Sequence, residues 1–436
     1  MDNNKVISII VVAVVVVAAL GAFFILKGND DSVSRDSVKT SLPIYGNANG
    51  DYTIDDSDRE TIKKVMDGDL LLKDYPLADV NRDGKVNETD ITLVDKIIKR
   101  EPTTLFLIDH EDNVISIQYP LKNIIAINSD MVPMITQIGG TGAMVAYIAS
   151  SYPIQQSAVI KNDKITKLTG SRAIEEGSYK KLIEIDSGLG SEGGVGAVLA
   201  MNDAALGNYK NDLAAAGIPV IKIKSSEPMN FIDGALTVGF LIGGNCEKKS
   251  LDYTTDCYNV LRNIEEKTGS VSKKTCLALS MGIYVAQKDS AYTKMSEMAG
   301  GKNITDLSGT SSAKLNSPEA ITKYDGVQYI LSFRTMDYVS ADVVGVWDAY
   351  AGDLKASSSY QNLVYINAAM PVIARVAYAA EVMYPDIFSG YGNEVFQKFV
   401  DTYEPYVHAE MPDGHFDVKT DLTTIITYEM YRSAKT

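Results

Sequence analysis

An uninterrupted apolar run opens the chain. Val6 to Leu26 carries no charged side chain, and at about 1.5 Å rise per residue a helix of that length just crosses a hydrocarbon core. Lys5 precedes it and an acidic, polar stretch follows Lys27, a charge bias that places the first residues inside and the remainder outside. Residues 1–28 therefore read as a membrane anchor and 29–42 as a linker. A cleaved signal peptide is the alternative, because Ala-Leu-Gly-Ala resembles a small-residue cleavage site. Two amphipathic patterns come next: Ile62, Val65 and Met66, then Ile91, Val94, Ile97 and Ile98, each predicting a helix with one apolar face.

Beyond Glu101-Pro102 the period changes. Short apolar runs at 123–128, 197–201, 220–224, 276–281, 327–332 and 364–367 alternate with helical stretches, the pattern of parallel α/β architecture. Between the two sets of three runs, residues 247–267 hold Leu251, Tyr258, Leu261 and Ile264 on one face, with no Gly or Pro. One long helix is predicted there. The expected fold class is α/β: two Rossmann-like lobes, 103–245 and 273–436, joined by a helix over 247–268, with a cleft at the strands' carboxyl ends. A small all-α module at 43–101 and the N-terminal helix complete it.

Of the 436 residues, 45% are hydrophobic and 22% charged, a globular balance. Against 41 Lys+Arg stand 56 Asp+Glu, and the net charge of −15 repels phosphate backbones while leaving carboxylates for hard cations. Nucleic acid is excluded as a partner. Three Cys and three His are too few for a disulfide scaffold, a Cys-rich zinc module or a His-dense cage. Cys276 either pairs with Cys257 or stays a buried thiol. The chain has no Gly-x-Ser-x-Gly elbow, His-Glu-x-x-His or Walker loop, so an enzyme is not expected. His408 and His415 read as a solvated loop, with a surface metal site as the alternative.

Asp79-Val-Asn81-Arg-Asp83-Gly84-Lys85-Val-Asn87-Glu-Thr-Asp90 puts oxygen side chains at positions 1, 3, 5, 9 and 12 of an EF-hand-like loop, glycine at 6 and the Lys85 carbonyl at 7. Calcium takes roughly six to eight such oxygens. Upstream, Asn47, Asn49, Asp51, Thr53, Asp55 and Asp58 repeat the positions, with Tyr52 in the glycine place. Two calcium sites are expected, the 79–90 loop the stronger because Asp79 carries a charge that Asn47 lacks. A duplicated loop-helix unit closed by Asp, with no helix entering the loop, resembles a dockerin. That resemblance implies a cohesin-like partner; calcium that only folds the module is the alternative.

Residues 103–436 resemble the substrate-binding proteins of ABC importers for iron complexes and cobalamin, the class with a single helical hinge. The resemblance rests on Lys122-Asn-Ile-Ile-Ala-Ile, Ala216-Gly-Ile-Pro-Val-Ile, Ala299-Gly-Gly-Lys-Asn303-Ile, Ser317-Pro-Glu319-Ala-Ile, Asp325-Gly-Val-Gln-Tyr-Ile-Leu and Met383-Tyr-Pro385-Asp-Ile-Phe388, in order. It implies a permease partner, docked in part through Glu319; Glu184 and Glu192 are the candidates on the other lobe. Loops after strands nominate Ser129, Asp130, Asn202, Asp203, Ser225, Ser226, Met281, Tyr284, Arg334, Asn367 and Met370 for the cleft. Arg334 is the sharpest, since a guanidinium fork suits carboxylate or phosphate on a chelate; an interlobe salt bridge is its alternative. Trp347 reads as core, with stacking on a macrocycle as the other use.

The expectation is thus an extracytoplasmic solute-binding protein, anchored at the outer face of the cell membrane. It would capture an iron complex, another metal chelate or a corrinoid; such an anchor suits an archaeal cell. The competing reading is a cell-surface scaffold whose calcium module docks partners and whose lobes no longer transport.

Overall fold

The computed structural model describes residues 38, 40–128, 130–148, 159, 161–170, 173–334 and 342–436. Of these, the residues up to 148, 159–225 and 232–255 form one compact unit, and 226–231 with 256–436 form a second.

The first unit begins with the duplicated module. Its two helices, α1 (Asp56–Met66) and α2 (Glu88–Ile98), start at reciprocal capping boxes: Asp55 with Asp58, and Asn87 with Asp90. Each box satisfies two helix-end N–H groups, and acidic side chains in both first turns suit the positive end of the helix dipole. Ile62 and Val65 of α1 and Val94 and Ile97 of α2 are buried, as the three-to-four spacing requires.

The segment before the first loop is not a free linker. Leu42 and Ile44 are fully buried. Ile44 bridges Leu107 in antiparallel fashion, the Tyr45 N–H donates to the Phe106 carbonyl, and the Ile108 N–H donates to that of Pro43, both at 2.9 Å. Leu107 and Phe106 lie on β1 (Thr103–Ile108), which forms a hairpin with β2 (Val114–Tyr119). The hairpin is tied onward: the His110 N–H donates to the Lys222 carbonyl at 2.9 Å, and His110 Nδ1 accepts from the Lys224 N–H at 3.0 Å.

Next comes an all-parallel sheet in the order β5 (Thr166–Lys167), β4 (Met144–Ile148), β3 (Ile124–Ile127), β6 (Ala197–Ala200), β7 (Val220–Lys222). Every residue of β3 and β6 is buried, which is why both read as continuous apolar runs without alternation. Helices α3 (Met131–Gln137), α4 (Glu176–Gly188) and α5 (Lys210–Ala215) belong to this unit. Helices α6 (Pro228–Ile242) and α7 (Asn245–Thr268) each contribute residues to both units. They approach closely at Gly239, where an added Cβ would stand 2.1 Å from Ser250 Oγ.

The second unit is built on a mixed sheet ordered β11 (Ser312–Lys314), β9 (Tyr284–Ala286), β8 (Thr275–Met281), β12 (Tyr329–Arg334), β13 (Leu363–Asn367), β14 (Ile425–Thr427), with β10 (Lys302–Asn303) also paired to β8. Its central strands β8, β12 and β13 run parallel, and β9 and β14 antiparallel. Helices α8 (Ala291–Met298), α9 (Val343–Tyr350), α10 (Val372–Met383), α11 (Pro385–Phe388), α12 (Tyr391–Tyr403) and α13 (Tyr428–Lys435) complete it. One core gathers Leu277, Leu279, Ile330, Leu363, Tyr365 and Ile426 of the sheet with Trp347 of α9. The alternation along β12 and β13 puts Ser332 and Arg334 on this same face. Cys246, Cys257 and Cys276 are buried and form no disulfide.

The localisation expected from the sequence is corrected. No helix among the described residues is long and apolar enough to cross a membrane; α7 has the length, but carries charges such as Glu247, Lys248, Asp252, Asp256, Arg262 and Glu265. The apolar segment 6–26 lies outside the described residues.

Candidate functional site

The two loops share the hydrogen bonds made by positions 3, 5 and 12. Position 12 holds positions 3 and 9: Asp58 Oδ1 and Oδ2 accept from the N–H groups of Asn49 and Asp55, both at 3.0 Å. Asp90 accepts from those of Asn81 and Asn87, at 3.2 and 2.9 Å. Positions 3 and 5 each turn the chain through their side chains, with Asn49 accepting from the Asp51 N–H and Asn81 from the Asp83 N–H, at 2.9 Å in both. Asp51 and Asp83 accept from Thr53 and Lys85 in turn, again at 2.9 Å.

Position 1 separates them. Asn47 is fully buried and its Nδ2 donates to the Leu42 and Asp51 carbonyls at 2.8 and 2.9 Å, which leaves Oδ1 buried with no donor. Asp79 instead accepts from the N–H groups of Asp83 and Gly84, at 3.0 and 2.8 Å. The left-handed residues also differ: Arg82 and Gly84, positions 4 and 6, in the second loop, but Gly50 at position 4 in the first. Tyr52 therefore occupies the sixth position without the positive φ that would penalise it. Burial pushes the Asp58 carboxyl up to about 7 against its two N–H donors, and Asp51 and Asp55 push the same way.

In the first loop, the orphaned buried oxygen at position 1 and the carboxylates of Asp51, Asp55 and Asp58, the first two of which raise the third's cost of ionising, fit a divalent cation with oxygen ligands. Among the described residues no three His, Cys, Asp or Glu side chains already surround one metal position. The carboxylates accept backbone N–H groups instead.

In the first unit the strand ends bring together part of the predicted set. Asn128, just past β3, holds φ +110, costly for a side chain other than glycine. Its Oδ1 accepts from the Asp130 N–H at 3.3 Å, and Ser225 Oγ donates to Asp130 Oδ2 at 3.4 Å. Asn202 caps a short turn by accepting from the Ala205 N–H at 3.1 Å. Asp203 is engaged by Lys210 at 2.6 Å and by Lys222, and their hydrogen bonds hold its carboxyl below the usual range. Lys222, its side chain 5% exposed, also reaches Glu111 at 2.6 Å. Burial opposes its charge, but Asp203 and Glu111 together keep its pKa above the ordinary value. Ser129 lies outside the described residues.

Ser226 falls in the second unit. There Met281, 38% exposed, and Tyr284 face each other across the turn between β8 and β9. Arg334 ends β12 with its guanidinium carbon 3.5 Å from the Tyr350 ring centroid and its Nε buried without an acceptor. Ser332 Oγ and Tyr365 Oη, on the same sheet face, are buried and likewise have no partner. Burial pushes the Tyr365 phenol well up. Sequence reading missed Ser332 and Tyr365, which look like ordinary strand residues. Asn367 is a turn-former, donating to the Thr423 carbonyl and accepting from the Ala369 N–H, both at 2.9 Å. Met370 is fully buried.

Glu319 is exposed on a 3-10 turn, Pro318–Tyr324, its carboxyl held low first by the Ser317 hydroxyl. His408 and His415 stack with ring centroids 5.2 Å apart. His408 uses both nitrogens, accepting from the Phe416 N–H at 2.9 Å and lying 3.1 Å from Asp401.

Residues 45–99 match the dockerin type I domain family. No curated protein matches the chain. Among solved structures, the TroA-like periplasmic binding protein FepB of Veillonella parvula aligns at 13% identity over 68% of this chain and 95% of its own, TM-score 0.50. CeuE of Helicobacter pylori in its nickel-histidine complex aligns at 14% over 74% and 100%, TM-score 0.52. The molybdate periplasmic binding protein MolA of Haemophilus influenzae aligns at 11% over 68% and 97%, TM-score 0.50. The chain thus carries a dockerin type I domain on the fold of the TroA-like periplasmic binding proteins.

Proposed function

We propose that this chain is a solute-binding protein of an ABC importer, binding rather than transforming a metal chelate, an iron complex or corrinoid among them. The observation that carries this reading is the group at the end of β12 and β13: Arg334 stacked on Tyr350 with Nε unsatisfied, beside Ser332 Oγ and Tyr365 Oη, also unsatisfied. Buried polar atoms without partners are costly, and an oxyanion presented by a ligand would satisfy all three. Ser129, Asp130, Asn202, Ser225, Ser226, Met281 and Tyr284 are further contacts in this reading. Asp203 serves there through its lysine pairs. The binding part spans 103–436, with the module at 43–101.

Native mass spectrometry of the protein purified from its own host tests this. The expected result is a retained small ligand, lost in Arg334→Met with the fold intact. A ligand-free wild type that also binds no chelate in titration would move the reading to the scaffold alternative, in which the module alone supplies the partner, a cohesin-like domain. For delivery, Glu319→Ala should leave ligand binding unchanged and reduce permease association; equal association would remove Glu319 from that role.

The module is proposed to take two calcium ions, through Asn47, Asn49, Asp51, Thr53, Asp55 and Asp58 and through Asp79, Asn81, Asp83, Lys85, Asn87 and Asp90. The second loop should be tighter because Asp79 adds a charge. Asp79→Ala should weaken that site by about tenfold or more in calorimetric titration; two sites unaffected by it would break the assignment.

A further inference from the structure

The two repeats of the module close their helices alike but with different residues in the final left-handed position. Each helix closes in a left-handed C′ position with the same two backbone bonds. Gly68 donates to Val65 and Asp69 to Lys64 after α1; Arg100 donates to Ile97 and Glu101 to Lys96 after α2. The first repeat fills the position with glycine at φ +84, the second with arginine at φ +59. Glycine takes this conformation without penalty and arginine does not. A residue retained against that preference needs a compensating use of its side chain.

Arg100 has one. Its Nε donates to Glu247 Oε2 at 2.9 Å and its Nη2 to Glu247 Oε1, a two-point fork on the first turn of α7. Its Nη1 donates to the Ile97 and Ile98 carbonyls at 2.7 and 3.0 Å, so the same guanidinium caps its own helix. Its carbon lies 5.2 Å from the Phe240 ring of α6, itself stacked on Tyr119. One side chain thereby joins the end of the module to the corner where α6 passes into α7. All of these residues belong to the first unit.

We propose that Arg100 is a latch that makes the calcium-loop module a fixed part of the first unit, so that a partner gripping the module holds the α6–α7 corner in a set orientation. The β-bridge at Ile44 anchors the module's beginning and Arg100 its end. A module tied at both ends cannot swing as a tethered tag.

Backbone hydrogen exchange of the whole chain tests this with Arg100→Gly, Glu247→Gln and the double variant. Arg100→Gly restores the residue of the sister repeat, so the turn itself is relieved, and Glu247→Gln keeps the shape of the partner. Each should speed exchange across 236–250 by about tenfold, with α1 unchanged. The double variant should go no further than Arg100→Gly alone, because that substitution already removes the fork together with the Phe240 contact. Effects that multiply, or Arg100→Gly exchanging at wild-type rates over 236–250, would overturn the latch.

Discussion

Trp347→Ala should destabilise the second unit by about 3–5 kcal/mol. The indole is fully buried and surrounded by aromatic rings: Tyr431 stacked at 5.3 Å, Tyr365 edge-on at 5.6 Å, Tyr428 at 5.8 Å and Tyr360 at 5.9 Å. Its Nε1 also donates to Tyr360 Oη at 2.6 Å. Truncation leaves a cavity that α9, α13 and the sheet line together, and removes the donor to a half-buried phenol. Trp347→Phe keeps most of the packing and should cost roughly half as much. Urea denaturation followed by circular dichroism measures both; a loss under about 1 kcal/mol for the alanine variant would show that the cluster collapses to fill the space.

Gly196→Ala should be nearly as damaging to the first unit, about 2–3 kcal/mol. An added Cβ would lie 2.1 Å from the Lys122 carbonyl oxygen and 3.0 Å from Leu121 Cδ1. Backbone cannot step aside as a flexible side chain does, so β6 would have to shift against β3, its neighbour in the sheet. The expected result is a lower denaturation midpoint with an unchanged slope. A variant as stable as the wild type would show that the Lys122 carbonyl and the start of β6 move apart at little cost.

Gly196 follows a glycine-rich stretch, residues 186–194, by two residues. Gly-rich composition signals flexibility only where nothing packs on the backbone. Here the Val195 N–H donates to Asp186 Oδ1 at 2.7 Å and Gly196 leads directly into a buried strand. The module shows the opposite case. Its ligand positions, caps and apolar faces are all local, set by residues within one loop and one helix, so the sequence exposes them directly. The apolar runs of β3, β6, β8, β12 and β13 were legible for the same reason.

The pairings that tie those parts together were not. Arg100 meets Glu247 across 147 residues, and Lys222 meets Glu111 across 111. Nothing in the local pattern of either partner distinguishes it from a solvated charge. Ser332 interrupts the apolar run of β12 and so looked like its end, whereas it lies two residues inside the strand with its hydroxyl buried. Asp203 was nominated for a ligand because it follows a strand. Position identified the loop correctly as a strand end, but only the fold reveals the two lysines that occupy the carboxylate.

The aromatic cage of the second unit also gives the chain a selective optical reporter. Trp347 is the single tryptophan among the 436 residues, so emission excited at the red edge of the absorption band comes from the second unit alone and is blind to the calcium loops. Far-ultraviolet dichroism sees the helices of both. Following one sample by both signals during heating separates the melting of the two units without a label, and metal added to the module should shift the dichroism curve before it alters the emission.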